Sequence, residues 1–418
     1  MDIVKIDLST RQKNHRWKVL GIGVAANASF SAAFQGIPTT AVFMRSDYHF
    51  STQTIGLIFG LMGLGIAISE LPWGILTDKW GDRKVLLIGL ISTAIILWLL
   101  CLFFTPTNTY IPDAYWLATG CILVGLLGGS VNGSSGKAVM RWFDDSERGL
   151  AMSIRQTAVP LGGGAGALIL PFFAKYYGFI SVFGVLALFC CITAFFTWLW
   201  LSENPSTEYV KKTIQIKTSD INPLMDKNIW YLVIAIGVLC APQFAILTFT
   251  SVFFHDFAHF DLWITTVTLL IIQLGAIAFR VWSGHWTDKR KNRKEYLKTC
   301  SMLSTVLFFI LTIFVFFLDQ EKEITDYQTF LFVSLFIVTG IVVSAWHGVA
   351  YTELAVATGL NKAATALGMA NTTAFLTLFL VPISIPFIVS HFNWSTIWFI
   401  SGICSLIAFA FFPKVSKS

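Results

Sequence analysis

The sequence predicts an all-α membrane protein with twelve transmembrane helices in two pseudo-symmetric six-helix bundles. Three observations carry that prediction: a very apolar composition, twelve apolar runs of bilayer-spanning length, and an internal repeat of about 210 residues. Of the 418 residues, 55% are hydrophobic and 12% are charged, where a soluble domain carries roughly 25% charged residues. The mean hydropathy is +0.70. So few charges cannot clothe a water-soluble globule of this size. The composition therefore excludes a soluble enzyme, a disordered chain and a nucleic-acid binder. The seven cysteines sit in apolar stretches without a CxxC pair or a Cys/His cluster. No disulfide framework, metal site or cofactor is expected.

A hydrocarbon core about 30 Å thick needs roughly 20 apolar residues per helix. The runs are 18–44, 54–76, 85–105, 114–140, 149–174, 178–201, 229–254, 262–286, 297–318, 328–352, 362–390 and 394–413. They are long and continuous, unlike the alternating strands of a membrane barrel. The first run follows a basic stretch, as a signal peptide would. It stays apolar well past Ala26, Asn27 and Ala28, so an uncleaved first helix is expected. Basic residues set the orientation. The outer loops hold Arg45, Lys175 and Lys322, and Lys137, Arg155 and Arg280 lie within spans. The other 23 of the 29 basic residues fall on the side of the N-terminus. Both termini are therefore expected in the cytoplasm, in a bacterial-type inner membrane. The expected domains are a cytoplasmic N-terminal segment 1–17, a first bundle 18–201, a polar cytoplasmic linker 202–228, a second bundle 229–413 and a tail 414–418.

A shift of 210 aligns residues 49–79 with 259–289 without a gap. His49, Phe50, Leu64, Gly65, Gly74, Thr77, Asp78 and Lys79 fall on His259, Phe260, Leu274, Gly275, Gly284, Thr287, Asp288 and Lys289. A shift of 215 places Gln156 and Thr157 on Asn371 and Thr372. Two parallel six-helix repeats are one way to build alternating access.

The loop after the second span carries Gly74, Asp78, Lys79, Gly81, Arg83 and Lys84. The loop after the eighth carries Gly284, Asp288, Lys289, Arg293 and Lys294. Glycine lets helices approach closely, an aspartate can cap a neighbouring helix N-terminus, and the basic cluster holds the loop in the cytoplasm. The pattern G-x3-D-R/K-x-G-x-R-R/K resembles the loop signature of the major facilitator superfamily. The first copy matches throughout, and the second has Lys291 in place of its glycine. The resemblance spans the whole chain. It implies an alternating-access carrier in which Asp78, Arg83, Asp288 and Arg293 latch the inner gate while the carrier faces outward, without touching substrate.

Ionisable residues within spans are costly and usually face a cavity. Glu70 and Arg280 occupy the same repeat position, one turn before Gly74 and Gly284, with opposite charge. The place of Arg280 resembles that of the arginine with which monocarboxylate and oxalate carriers of the superfamily bind a carboxylate, where a guanidinium can pair through two hydrogen bonds. Those monocarboxylate carriers have an aspartate one turn earlier, where this chain has Ala276. Arg155 opens a stretch with Pro160, Gly162 and Gly166, which permits bending and tight helix contact. The resemblance implies that spans 5 and 8 pack together, bringing Arg155 near Arg280. An anion between them would relieve their repulsion; the alternative is that each arginine has its own protein partner. A Glu70–Lys137 salt bridge is expected. His347 and Glu70 are candidates to carry a coupling proton. Glu353 is a weaker cavity candidate. Asn27, Gln35, Gln243, Gln273, Gln156 and Asn371 are uncharged cavity candidates, and Trp346 and Tyr351 could stack on a ligand.

The combined expectation is a proton-coupled secondary carrier of a small organic anion, a carboxylate metabolite or a carboxylate siderophore, acting as a monomer. There is no G-x4-GK[ST] sequence, so ATP hydrolysis is not expected to drive it. A carrier of neutral solutes or sugars and an exporter of drugs remain as alternatives. A receptor or channel is disfavoured by the two loop copies. An enzyme is disfavoured because the spans hold no nucleophile–base pair or metal cluster.

Overall fold

The computed structural model describes residues 7–107, 109–202, 222–320 and 325–412. The expected linker, the C-terminal tail, Lys322 and the extreme N-terminus lie wholly or largely outside the described residues. Every regular element among those described is helical. The elements are α1 (Asp7–Gly36), a 3-10 turn (Ile37–Thr40), α2 (Ala41–Asp47), α3 (Thr52–Trp80), α4 (Asp82–Phe103), α5 (Ala114–Gly128), α6 (Ser130–Trp142), α7 (Arg148–Gln156) and α8 (Ala158–Trp200). After the linker come α9 (Lys227–Asp256), α10 (Leu262–Arg290), α11 (Arg293–Leu318), α12 (Asp326–Ser344), α13 (His347–Thr358), α14 (Ala363–His391) and α15 (Trp394–Phe411).

Eleven helical runs among the described residues are long and apolar enough to cross a membrane. One of them, Arg148–Trp200, is 53 residues long, far more than a bilayer needs. It breaks at Gly178, where φ is 72° and ψ is −178°. The boundary expected between the fifth and sixth spans therefore falls inside a nominally continuous helix, because glycine turns the chain without a connecting loop.

The sequence repeat is also written in the backbone. The non-glycine residues His49 and His259 have φ of 57° and 53°, and Gly81 and Lys291 have φ of 94° and 56°. Both pairs are 210 residues apart. Lys291 thus keeps the positive φ of Gly81, but with ψ of 29° in the left-handed helical region where Gly81 has ψ of 153°. An L side chain does so at some cost.

Large apolar side chains such as Leu168, Trp198, Trp263 and Ile383 are exposed, the pattern of helices whose outer faces meet lipid. Because lipid is as apolar as leucine, helices in a bilayer associate through close packing. α1 and α8 do so through small residues. A Cβ on Gly162 would lie 2.3 Å from the Ala28 carbonyl oxygen, and one on Gly166 would lie 2.7 Å from that of Ala32. Each half of the chain has its own buried cluster. In the second half it centres on Phe253, Phe254, Phe332, Phe336 and Trp398. Two first-half residues, Met140 and Met152, join that second-half cluster.

Gly178 and Gly164 separate conformation from space. A Cβ at either would meet nothing within 4 Å, yet only Gly178 has positive φ. Gly178→Ala should destabilise the protein by about 1–3 kcal/mol, the cost of a near-glycine-only conformation. Gly164→Ala should be neutral or slightly stabilising. Thermal unfolding of the purified variants in detergent checks the contrast.

Candidate functional site

The two loop aspartates each reach across to the opposite half of the chain. The Asp78 carboxylate accepts from the backbone N–H groups of Thr365 at 2.8 Å and Ala364 at 3.3 Å, and from the Thr365 hydroxyl at 2.5 Å. It thereby caps the N-terminus of α14. The Asp288 carboxylate accepts from the N–H groups of Gly149 at 3.0 Å and Leu150 at 2.8 Å. It caps the N-terminus of α7. A carboxylate satisfies donors that a helix start leaves open and sits at the positive end of the helix dipole.

Glycines allow this approach. A Cβ on Gly74 would lie 2.4 Å from the Ala364 carbonyl oxygen, and one on Gly284 would lie 2.5 Å from that of Gly149. The cation beside each cap differs. Asp78 pairs with Lys137 at 2.7 Å, and Asp288 pairs with Arg293 of its own loop at 2.8 Å. Arg83 donates instead to the Trp198 carbonyl at 2.7 Å, within its own half. Lys79 and Lys289 are exposed. Gly81 supplies the positive-φ turn between α3 and α4.

The expected Glu70–Lys137 bridge does not form, since Lys137 pairs with Asp78 two turns further along α3. Glu70 is fully buried. It accepts hydrogen bonds from the side-chain amides of Asn132 and, at 3.1 Å, Asn371. Asn371 comes from the opposite half and also accepts from the Tyr351 hydroxyl at 2.7 Å.

Arg280, the repeat counterpart of Glu70, occupies an equivalent position with inverted polarity. Its guanidinium donates to the Ser344 carbonyl of its own half at 2.8 Å and to the Gln156 carbonyl of the other half at 3.1 Å. Gln156 and Asn371 are the residues that a shift of 215 superimposes. Both acceptors lie where helices end, at the α7/α8 and α12/α13 breaks. Arg280 therefore satisfies carbonyls that the breaks leave without intrahelical partners. The neighbouring Ala345 carbonyl accepts from the Ser283 and Tyr296 hydroxyls.

Arg155 is 2% exposed. It donates to the Ser135 hydroxyl at 3.0 Å and to the Asn132 carbonyl at 2.7 Å. Each arginine thus has its own protein partners, the alternative to an anion held directly between them. Those partners are neutral, and neither guanidinium forms an ion pair among the described residues. Asn132 touches both charges, binding Glu70 through its side chain and Arg155 through its carbonyl. The sequence reading passed over it; a polar residue deep in an apolar span was the available signal.

The remaining candidates are more dispersed. Trp346 stacks on His347 with ring centroids 3.9 Å apart, and Tyr351 lies beyond at 6.4 Å from His347. Glu353 sits 3.9 Å from Lys294, away from this cluster. Gln35 is half-buried against Gly163 of α8. Asn27 and Gln243 are buried, and both amide atoms of Asn27 and the Gln243 carbonyl oxygen have no hydrogen-bond partner among the described residues.

The hydrogen bonds that join the two halves gather at the Asp78 and Asp288 end. Toward the other end of α3, a Cβ on Gly56, Gly60 or Gly63 would meet nothing within 4 Å. The molecule is sealed at the loop end by a floor of Glu70, Asn132, Asn371, Tyr351, Arg155 and Arg280.

The sequence profile of the Major Facilitator Superfamily matches residues 23–319. A Mycobacterium tuberculosis protein described as an uncharacterized MFS-type transporter is 25% identical over 399 residues, covering 95% of this chain and 85% of the relative. A probable chloroplastic anion transporter of Arabidopsis thaliana is 25% identical over 307 residues, covering 66% of this chain and 54% of its own. The solved structure of the proton:xylose symporter XylE superimposes with a TM-score of 0.73 at 16% identity, covering 96% of this chain and 95% of that one.

Replacing Asp78 or Asp288 with alanine should loosen the sealed end. The loss of a charged cap is worth roughly 1–2 kcal/mol, or a five- to thirtyfold shift in the closed-to-open ratio. A cysteine introduced at Leu367, which is buried against Gly136, should react faster with a maleimide in either variant. It should react fastest in the double variant.

Proposed function

This chain belongs to the major facilitator superfamily, a family of membrane transporters and not of enzymes, and from that premise we propose that it is a proton-coupled carrier of a small organic anion. It crosses the membrane twelve times, the run Arg148–Trp200 making two crossings about Gly178. The two halves of the chain form two six-helix bundles, 18–201 and 229–413, that rock about the polar floor. Both termini are cytoplasmic in a bacterial-type inner membrane, as the distribution of Lys and Arg suggests. In that orientation the sealed end is cytoplasmic, and the arrangement is an outward-facing state. The carrier acts as a monomer.

The observation that carries the anion reading is the charge of the floor. Arg155 and Arg280 are buried there beside a single buried carboxylate, Glu70, while Lys137 is matched by Asp78. The cluster thus carries one uncompensated positive charge. Burying a charge without a counter-charge is expensive, and an anion entering from the open side would offset that cost. The name of the Arabidopsis relative, an anion transporter, agrees with this choice. In this reading Arg280 holds the broken helices together while the cytoplasmic end is closed. It gains donors for substrate when Gln156 withdraws. Gln35, Gln243, Gln156, Asn27, Asn371, Tyr351 and Arg155 line the path. Glu70 and His347 are the candidates for the coupling proton.

A thermal-shift screen of the full chain in detergent, with organic anions, sugars and cationic dyes, tests the reading. A ligand that binds the folded state raises the unfolding temperature. Stabilisation by a carboxylate is expected in the unmodified chain, with affinity weakened about tenfold or more in Arg280→Ala. Arg280→Lys should restore it only in part, because an ammonium cannot reproduce the guanidinium fork. Stabilisation by a sugar or a cation, equal in all three proteins, would overturn the proposal.

A further inference from the structure

Asn27 is 1% exposed, and among the described residues neither its amide nitrogen nor its carbonyl oxygen has a partner. Leaving both atoms of a buried amide unpaired forfeits their hydration without replacing it. Exchanging the two ends of the amide would not remove that cost, because both are unpaired. The position of Asn27 on α1 indicates what it faces. Gly23, Asn27, Phe30 and Phe34 follow the three- and four-residue spacing of one helix face. At the lower end of that face, a Cβ on Gly23 would lie 3.8 Å from Cδ of Arg155. At the upper end, Phe30 and Phe34 stack on each other at 6.1 Å. Both meet Phe375 of α14 edge-on, at 6.1 Å and 5.4 Å. Phe375 lies one turn above Asn371 on α14. Asn27 therefore lies on that face between the arginine-bearing floor and an aromatic cluster contributed by both halves.

We propose that Asn27 reads a hydroxyl group on the transported anion while Phe30, Phe34 and Phe375 cover its carbon frame, so that the substrates are hydroxylated carboxylates. This rests on the anion reading given above and narrows it. A primary amide offers one acceptor and donors side by side. A carboxylate, ionised near neutral pH, offers only acceptors and would leave the Asn27 oxygen unpaired. An ammonium offers only donors and would leave the amide nitrogen unpaired. A hydroxyl both donates and accepts, and satisfies the two together. The carboxylate of the same molecule is left to the positive charge below. Phe34 and Phe375, which are half-buried, present aromatic surface for the C–H faces of a ring or short chain.

The experiment measures apparent affinities of the full chain in detergent by thermal-shift titration. It uses matched pairs: malate and succinate, lactate and propionate, glucuronate and cyclohexanecarboxylate. In the unmodified chain the hydroxylated member of at least one pair should bind about tenfold or more tighter, the worth of a well-made hydrogen bond in a buried site. In Asn27→Leu that preference should fall to within about twofold. In Asn27→Ser, which keeps a group that donates and accepts, it should be partly restored. Asn27→Ala replaces the leucine variant if the latter does not fold. Equal binding within every pair would overturn the hydroxyl inference and leave the anion reading standing. A preference that persists in Asn27→Leu would also overturn it, and would mark Asn27 as the seat of a structural water. Silence of all six anions would overturn the anion reading and this inference with it.

Discussion

A carboxylate on the first turn of a helix from the other half of the chain is the contact on which this structure turns. Asp78 on α14 and Asp288 on α7 use charge, helix dipole and unsatisfied backbone donors together. Glycines at 74 and 284 bring the backbones close enough for this to happen. These bonds are made by a few polar groups, beside close packing of α3 on α14 at Gly74 and Gly368 and the apolar contacts of Met140 and Met152. The placement of two such caps, 210 residues apart, makes the seal a property of the repeat rather than of one loop.

Beneath the caps, the repeat is used with inverted sign. Glu70 and Arg280 occupy equivalent positions, and each bridges its own half to residue 371 or 156 of the other. One end accepts from side-chain amides, and the other donates to carbonyls freed by helix breaks. A floor built this way is held by directional hydrogen bonds. The arrangement also leaves a net positive charge in the floor, which is the physical basis for the anion proposal.

Much of this was legible in the sequence. The apolar runs fix the helices, because the bilayer leaves few other structures for a backbone. The 210-residue shift located the capping aspartates and showed Lys291 in place of the glycine of the first copy; the positive φ that both positions share was seen only in the structure. The partners were not legible. Glu70 and Asp78 lie on one helix two turns apart, and sequence spacing alone could not decide which of them Lys137 would reach. Arg83 belonged to the motif by pattern, yet its guanidinium goes to Trp198 because the fold places a helix end there. Asn132 was missed for a similar reason, since its contacts with Glu70 and Arg155 arise from packing between segments far apart in sequence. The boundary between the spans 149–174 and 178–201 was legible, but not that a single glycine, Gly178, makes the turn there without a connecting loop.

The most direct test of the account is whether the two ends of the molecule move in opposition. Spin labels at the exposed positions Lys79 and Asn361 report the sealed end, and labels at Ser46 and Asp261 report the other. Pulsed distance measurements on both pairs, in lipid nanodiscs with and without saturating hydroxylated carboxylate, give the answer. The account predicts that a longer distance at the sealed end accompanies a shorter one at the other. Distances that stay fixed at both ends under every condition, or that lengthen together, would contradict it.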